Sequence, residues 1–140
     1  HPDPAAGLWL PPLGLVAGVA LAVYVAFLGT DGEIYRWMRR YGTIGYFAAT
    51  YLAQLLYLRR LAQLPQQPRG PYLAMAAVSV AMLALGLAST GISAVAASGD
   101  DKDRLENLVE WHIGLLLTAW FLIQAEMWRR DGFGLVAVRE

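Results

Sequence analysis

The charged residues of this chain are confined to a few short segments, and this distribution constrains the fold more than any other feature. Four segments contain no Asp, Glu, Lys or Arg: residues 4–30, 41–58, 70–99 and 111–125. A surface helix of a soluble protein carries charges on its outer face at every turn. Uncharged segments of 27, 18, 30 and 15 residues instead approach or exceed the ~20 residues that cross the hydrocarbon core of a bilayer. The chain is therefore predicted to be an integral, multi-pass membrane protein.

The predicted fold is all-α, a single transmembrane domain over residues 1–140 built as a four-helix bundle. Its helices are expected at about residues 8–29, 41–58, 71–98 and 105–128. Pro11 and Pro12 would then fall in the first turn of the first helix, where proline is tolerated. Three further prolines, Pro65, Pro68 and Pro71, predict a linker between two helical pairs.

The composition excludes several classes of function. The 11 basic and 11 acidic residues give no net charge, so the chain lacks the basic field that nucleic-acid binding requires. It has no cysteine, which excludes a disulfide framework, a thiolate metal site and a cysteine nucleophile. The expected partners are membrane lipids and other membrane-protein subunits, with no nucleic acid and no cofactor.

Small residues recur every four positions in the first predicted helix, at Gly14, Gly18, Ala22 and Ala26. Such a stripe lets a second helix approach closely in a membrane. We expect it to serve packing within the chain, and a homodimer contact is the alternative.

Three arginines follow the first helix in the segment TDGEIYRWMRR. Because Arg36, Arg39 and Arg40 alternate with apolar and aromatic residues, the segment predicts a short interfacial helix lying against the headgroups. The arginines are interpreted as anchors whose stems lie along apolar surface, and a site for a substrate or lipid phosphate is the alternative.

With four spans, both termini lie on one side of the membrane. That side holds six Lys or Arg residues, and the opposite side holds five. Two arginine pairs, Arg59-Arg60 and Arg129-Arg130, stand directly at helix ends on the side with six. Since basic residues near span ends favour the cytoplasm, both termini are predicted to be cytoplasmic.

The fourth helix begins with a polar cluster of Asn107, Glu110, Trp111 and His112. Ionisable residues in a membrane helix are functional candidates by default. A heptad pattern predicts that Asn107, Glu110 and Gln124 face the bundle interior. His112 would lie about 200° round the helix from Glu110, so the two are not expected to form a catalytic pair.

The cluster is interpreted as an interfacial polar network that fixes helix packing, and contact with a lipid headgroup is the alternative. Gln54, in the second helix, is expected to hydrogen-bond a neighbouring helix. Haem ligation would need a second axial histidine, and the other histidine is His1. Metal-assisted hydrolysis would need three or four ligands, and a proton path would need acids near the midplane. No catalytic or metal-binding residue is therefore predicted.

The segment ENLVEWHIGLLLTAWFLIQAEMW, preceded by a long helix of small residues and a polar loop, resembles the last two helices of the Frag1/DRAM/Sfk1 family of multi-pass membrane proteins. Glu110-Trp111 stands where that family's final helix opens with a Glu-Trp pair, and Tyr51 and Gln54 stand near its Tyr and Gln. The chain would correspond to four of the family's six helices. The resemblance implies a non-enzymatic or lipid-linked role, since members are associated with autophagy, phosphoinositide-kinase regulation and glycolipid-anchor remodelling.

The function expected from the sequence is that of a structural, regulatory or accessory subunit of a larger membrane assembly, with contacts to lipid. The alternative is a membrane enzyme or cofactor carrier that acts on lipid, quinone or haem through Glu110 and His112.

Overall fold

In the computed structural model, which describes residues 4–64, 69–95 and 100–130, every regular element is an α-helix. The helices are α1 (Pro4–Ala26), α2 (Glu33–Ala62), α3 (Arg69–Val95) and α4 (Asp100–Arg130). α1 packs with α2 in one compact unit, and α3 packs with α4 in a second. The prediction of an all-α fold is confirmed, and so is the division into two helical pairs at the proline-rich linker.

Three helices are long and apolar enough to cross a membrane, over Gly7–Ala26 in α1, Arg69–Ser89 in α3 and Asn107–Arg130 in α4. The prediction of membrane-spanning helices is confirmed for these three. α2 is not among them, because the uncharged part of this helix carries four tyrosines and Gln54.

All four helices begin earlier than the sequence predicts, at Pro4, Glu33, Arg69 and Asp100. α1 starts at Pro4, so Pro11 and Pro12 lie inside the helix and the expectation that they occupy its first turn was wrong. Because proline has no N–H, the carbonyls four residues before each one have no donor within the helix. α4 starts at Asp100, so residues 100–104 are helical where a polar loop was expected. α3 ends at Val95, and the last residues of the predicted third helix fall outside the described part of the chain.

The short interfacial helix predicted before α2 is not a separate element. α2 runs without a break from Glu33 to Ala62, because no glycine or proline interrupts residues 33–41. The chain reverses direction before it, where Gly29 and Gly32 have φ angles of 82° and 127°. Side chains with a Cβ rarely adopt these angles, so the two glycines place the turn ahead of the arginines and not after them.

α1 and α2 approach each other closely at Gly42. A Cβ atom at this position would lie 2.9 Å from both the carbonyl oxygen of Ala20 and the backbone nitrogen of Tyr24. At the other end of the hairpin, a Cβ on Gly7 would lie 3.2 Å from Nη1 of Arg60. The two helices are thus antiparallel and in contact along the length from Tyr24 to Gly7.

Arg39 ties the C-terminal end of α1 to α2. Its Nη1 donates to the carbonyl oxygen of Phe27 over 3.0 Å and to that of Thr30. The last carbonyls of a helix lack partners within the helix, and a positive charge is favourable at this end of the helix dipole. The rings of Phe27 and Tyr35 stack beside this contact, with centroids 5.5 Å apart.

The outward faces of the helices are apolar. Six large residues spaced by seven on α3 and α4 each expose more than half of their surface: Leu73, Val80, Leu87, Leu108, Leu115 and Leu122. The buried positions of α3, in contrast, include the hydroxyl-bearing Ser79 between Met75 and Met82. A soluble helix has the opposite arrangement, so these faces suit a hydrocarbon environment.

The small-residue stripe on α1 takes no part in the contact with α2. Gly14, Gly18 and Ala22 are exposed, and a Cβ at either glycine would meet no other atom within 4 Å. α1 meets α2 on a different face, which includes the buried Ala17. That the stripe packs against some other helix stays a prediction.

Replacing Gly42 with alanine should destabilise the hairpin by about 1–3 kcal/mol, because overfilling a tight contact forces the backbone to shift. The free energy of unfolding of the full chain can be measured in mixed micelles by circular dichroism during titration with a denaturing detergent. Gly14→Ala is the matched control, since its Cβ would point into open space. Equal stability of the two variants would contradict the role given to Gly42.

Candidate functional site

The polar residues predicted at the start of α4 all lie on its surface. Asn107, Glu110, Trp111 and His112 are exposed. The Nδ1 of His112 lies 2.7 Å from the carbonyl oxygen of Leu108. Since a carbonyl oxygen can only accept, Nδ1 is the donor of this hydrogen bond. In a neutral ring this leaves Nε2 as an acceptor.

Within the α3–α4 unit, the three residues predicted to face the bundle interior differ in burial, and the prediction for the bundle itself stays a prediction. Gln124 is buried, whereas Asn107 and Glu110 are exposed. The remaining buried residues of this helix are apolar: Val109, Leu117, Trp120 and Met127. Trp120 is 2% exposed, and burial of this large indole rotates the inner face away from the polar cluster. Asn107 and Glu110 stand at the edge of the apolar segment, where their side chains can reach a polar environment without turning inward.

Glu110 and His112 do not converge on a shared site. Residues two positions apart point about 200° from each other on an α-helix. Within the described residues, no three or more His, Asp or Glu side chains group as metal ligands would. The cluster therefore offers two separate polar side chains on a helix surface.

Gln54 is 2% exposed and does not form the hydrogen bond expected of it. Neither its Nε2 nor its Oε1 has a hydrogen-bond partner among the described residues. Thr50 and Leu58, one turn to either side of it, are buried as well. An unsatisfied buried amide costs roughly 1–3 kcal/mol, so Gln54 lowers stability where an interhelical contact was expected to raise it.

The structure separates the three predicted interfacial arginines. Arg39 is partly buried and bound to the carbonyls at the end of α1. Arg36 and Arg40 are exposed, and neither guanidinium group has a hydrogen bond or ion pair with another described residue. Each is followed by an aromatic residue, and the rings of Trp37 and Tyr41 stack with centroids 5.6 Å apart. We call Arg36, Trp37, Arg40 and Tyr41 the Arg–aromatic face.

The depth of the Arg–aromatic face can be read from its neighbours along α2. Tyr35, just before it, stacks on Phe27, the residue that follows the apolar segment ending at Ala26. Gly42, just after it, lies against Tyr24. The face is therefore level with the end of the apolar segment of α1, where hydrocarbon would give way to headgroups.

Two sets of contacts escaped prediction from the sequence. At the end of α4, the Glu126 carboxylate accepts hydrogen bonds from Arg129 over 2.7 and 2.8 Å and from Arg130 over 2.7 Å. Spacings of three and four residues bring such side chains together on a helix, and that spacing was the available signal. For Arg39, the signal was its position three residues before Gly42. Residues at this spacing share a face of the helix, and Gly42 faces α1.

Comparison of this chain with protein-family models, curated proteins and solved structures finds no match. The resemblance to the Frag1/DRAM/Sfk1 family stays a prediction.

Substituting Gln54 with methionine should raise the free energy of unfolding by about 1–3 kcal/mol, because the apolar side chain has no hydrogen bonds to lose. Gln54→Glu should lower it, since a carboxylate at this position would be charged or would need to take up a proton. Unfolding in mixed micelles would rank the three proteins. Leu52→Met, at an exposed position of the same helix, should change nothing. A loss of stability in Gln54→Met would show that the amide has a stabilising partner.

Proposed function

We propose that all four helices cross the bilayer and that the two hairpins together form one multi-pass membrane bundle. The observation that supports the fourth span is the antiparallel contact of α2 with α1. The chain rises ~27 Å from Gly42 to Arg60 at 1.5 Å per residue, close to the ~30 Å of the hydrocarbon core. Because these residues lie beside the apolar segment of α1, α2 would be carried across the membrane by its partner.

Local hydrogen bonding supports this placement. The hydroxyl groups of Thr43, Ser79 and Thr118 donate to the carbonyl oxygens four residues earlier, over 2.9 to 3.0 Å. Such bonds satisfy hydroxyl groups within their own helix. They let polar residues occupy a membrane helix where no water is present to pair with them.

The proposed topology places the loop between α1 and α2 on one side of the membrane and the C-terminal end of α2 on the other. The chain has no cysteine, so Asp31→Cys and Leu64→Cys can be labelled individually. In sealed vesicles of one orientation, a membrane-impermeant maleimide should label only one of the two variants before the vesicles are opened. Equal labelling of both from the same side would show that α2 does not cross.

We further propose that the protein acts as a structural or regulatory subunit within a larger membrane assembly. The exposed stripe of Gly14, Gly18 and Ala22 supports this, because it leaves open space into which a helix of another subunit could pack closely. The exposed leucines of α3 and α4 would face lipid. Both termini would lie on the same side, which the arginine pairs at the helix ends favour as the cytoplasmic one.

The resemblance to the Frag1/DRAM/Sfk1 family agrees with a non-enzymatic, lipid-linked role. The alternative, a membrane enzyme or cofactor carrier acting through Glu110 and His112, draws no support from their separate, exposed positions. An absorption spectrum of the purified protein distinguishes the two for haem, because a Soret band would favour the carrier.

Replacing Gly14 or Gly18 with leucine should dissociate the assembly and leave the hairpin folded, because neither position contacts another residue of the α1–α2 unit. Native-gel migration in mild detergent, with identification of the co-migrating proteins, would measure this. Val16→Phe is the matched control, since it enlarges an exposed residue on another face of α1. Unchanged migration of both glycine variants, or migration of the native protein as a lone chain, would contradict the proposal.

A further inference from the structure

The Arg–aromatic face combines two exposed aromatic rings, one helical turn apart, with two guanidinium groups that pair with no other side chain in the described part of the chain. Trp37 and Tyr41 are 56% and 61% exposed, and Arg36 and Arg40 precede them at the same spacing. With 3.6 residues per turn, all four lie on the side of α2 opposite Gly42, turned away from α1. The face is not used by the hairpin fold.

We propose that the Arg–aromatic face binds the headgroups of acidic phospholipids at the membrane surface. This inference rests on the proposed membrane embedding and specifies which lipids the protein contacts and where. The guanidinium groups would donate to headgroup phosphates, which match their planar, forked geometry. The two rings would lie at the level of the headgroups and the first acyl carbons, where Trp and Tyr are enriched.

The depth of the face favours a bilayer as its partner. Stacking of Tyr35 on Phe27 and contact of Gly42 with Tyr24 hold the face level with the end of the apolar segment of α1. Trp37 and Tyr41 form a stacked pair on the outside of a helix, which is a convex surface. A bilayer surface can cover such a face. It offers phosphate groups to the arginines and hydrocarbon to the aromatic rings.

Charge sets the preference for acidic lipid. Arg39 is bound to the carbonyls of Phe27 and Thr30 in the connection after α1, so Arg36 and Arg40 supply the charge that a lipid meets. Glu33 lies three residues before Arg36 and seven before Arg40, which puts an opposing charge on the same side of the helix. One basic side chain near an anionic membrane surface contributes a factor of about five in affinity.

The preference can be measured on the full chain by native mass spectrometry, as the ratio of the first binding constants for phosphatidylglycerol and phosphatidylcholine. Arg36→Gln and Arg40→Gln should each lower this ratio by up to about fivefold, and the double variant should lower it further. Glu33→Gln should raise it. Arg104→Gln, an exposed arginine outside the apolar segment of α4, should lower it less than either of these variants. Trp37→Ala should weaken both lipids, and Trp37→Phe should restore much of the binding.

An unchanged ratio in the Arg36/Arg40 double variant would overturn the proposal, as would an equal loss in Arg104→Gln. Displacement of phosphatidylglycerol by inorganic phosphate, with no effect of Trp37→Ala, would assign a small-anion site and overturn it as well. Loss of a co-purifying protein in the double variant, without a change in lipid ratio, would assign the face to a protein partner instead.

Alkaline extraction of reconstituted vesicles separates this proposal from the one on which it rests. Release of the chain would refute membrane embedding, whereas a retained chain without lipid preference would refute only the headgroup site.

Discussion

The contact between α1 and α2 at Gly42 is one of backbone against backbone. A single methyl group at that position would come within 2.9 Å of main-chain atoms of α1, so the distance between the two helices depends on the missing side chain. Gly45 repeats the condition less tightly, since its Cβ would lie 3.2 Å from that of Ala20. In a membrane, helices associate through such close packing, because surrounding lipid is as apolar as the side chains themselves. The hairpin thus packs the tyrosine-rich α2 closely against the more apolar α1.

The polar side chains of the fold find hydrogen-bond partners in three ways. Serine and threonine hydroxyls bond within their own helices, and Arg39 closes the end of α1. Glu126 pairs with two arginines at the end of α4, although exposed pairs of this kind add little stability. Gln54 follows none of these, because its buried amide is unsatisfied among the described residues. A cost of this kind at one position is typical of a residue that serves something other than stability.

The sequence predicts the helices because the relevant signal is local. Uncharged segments and the proline-rich linker locate four helices and their pairing, and both follow from the chemistry of short stretches. The starts of α1 and α4 are missed by several residues, since polar or proline-containing turns outside a span can still be helical. The start of α2 is missed for the same reason, since the helix begins at Glu33 and not at the predicted residue 41.

The candidate sites are harder to predict because they depend on which face of a helix turns inward. For α4, the periodicity was aligned on Asn107 and Glu110, whereas burial of Trp120 sets the true phase. Gly14 and Gly42 are indistinguishable by residue type, yet only Gly42 meets a neighbouring helix. Arg39 likewise looks equivalent to Arg36 and Arg40 until the turn at Gly29 and Gly32 is known. Each distinction requires the relative rotation of two helices, which no single segment encodes.

The short connection between α1 and α2 has a consequence for biosynthesis. Six residues, 27–32, separate the two helices, and Gly29 and Gly32 shape the turn. α1 is apolar enough to cross a membrane, whereas α2 is not among the helices that meet this condition. In the proposed topology, α2 would therefore enter the bilayer against α1, once Gly42 and the residues after it have been synthesised. The tight turn shortens this interval, because Gly42 follows the end of α1 by only 16 residues.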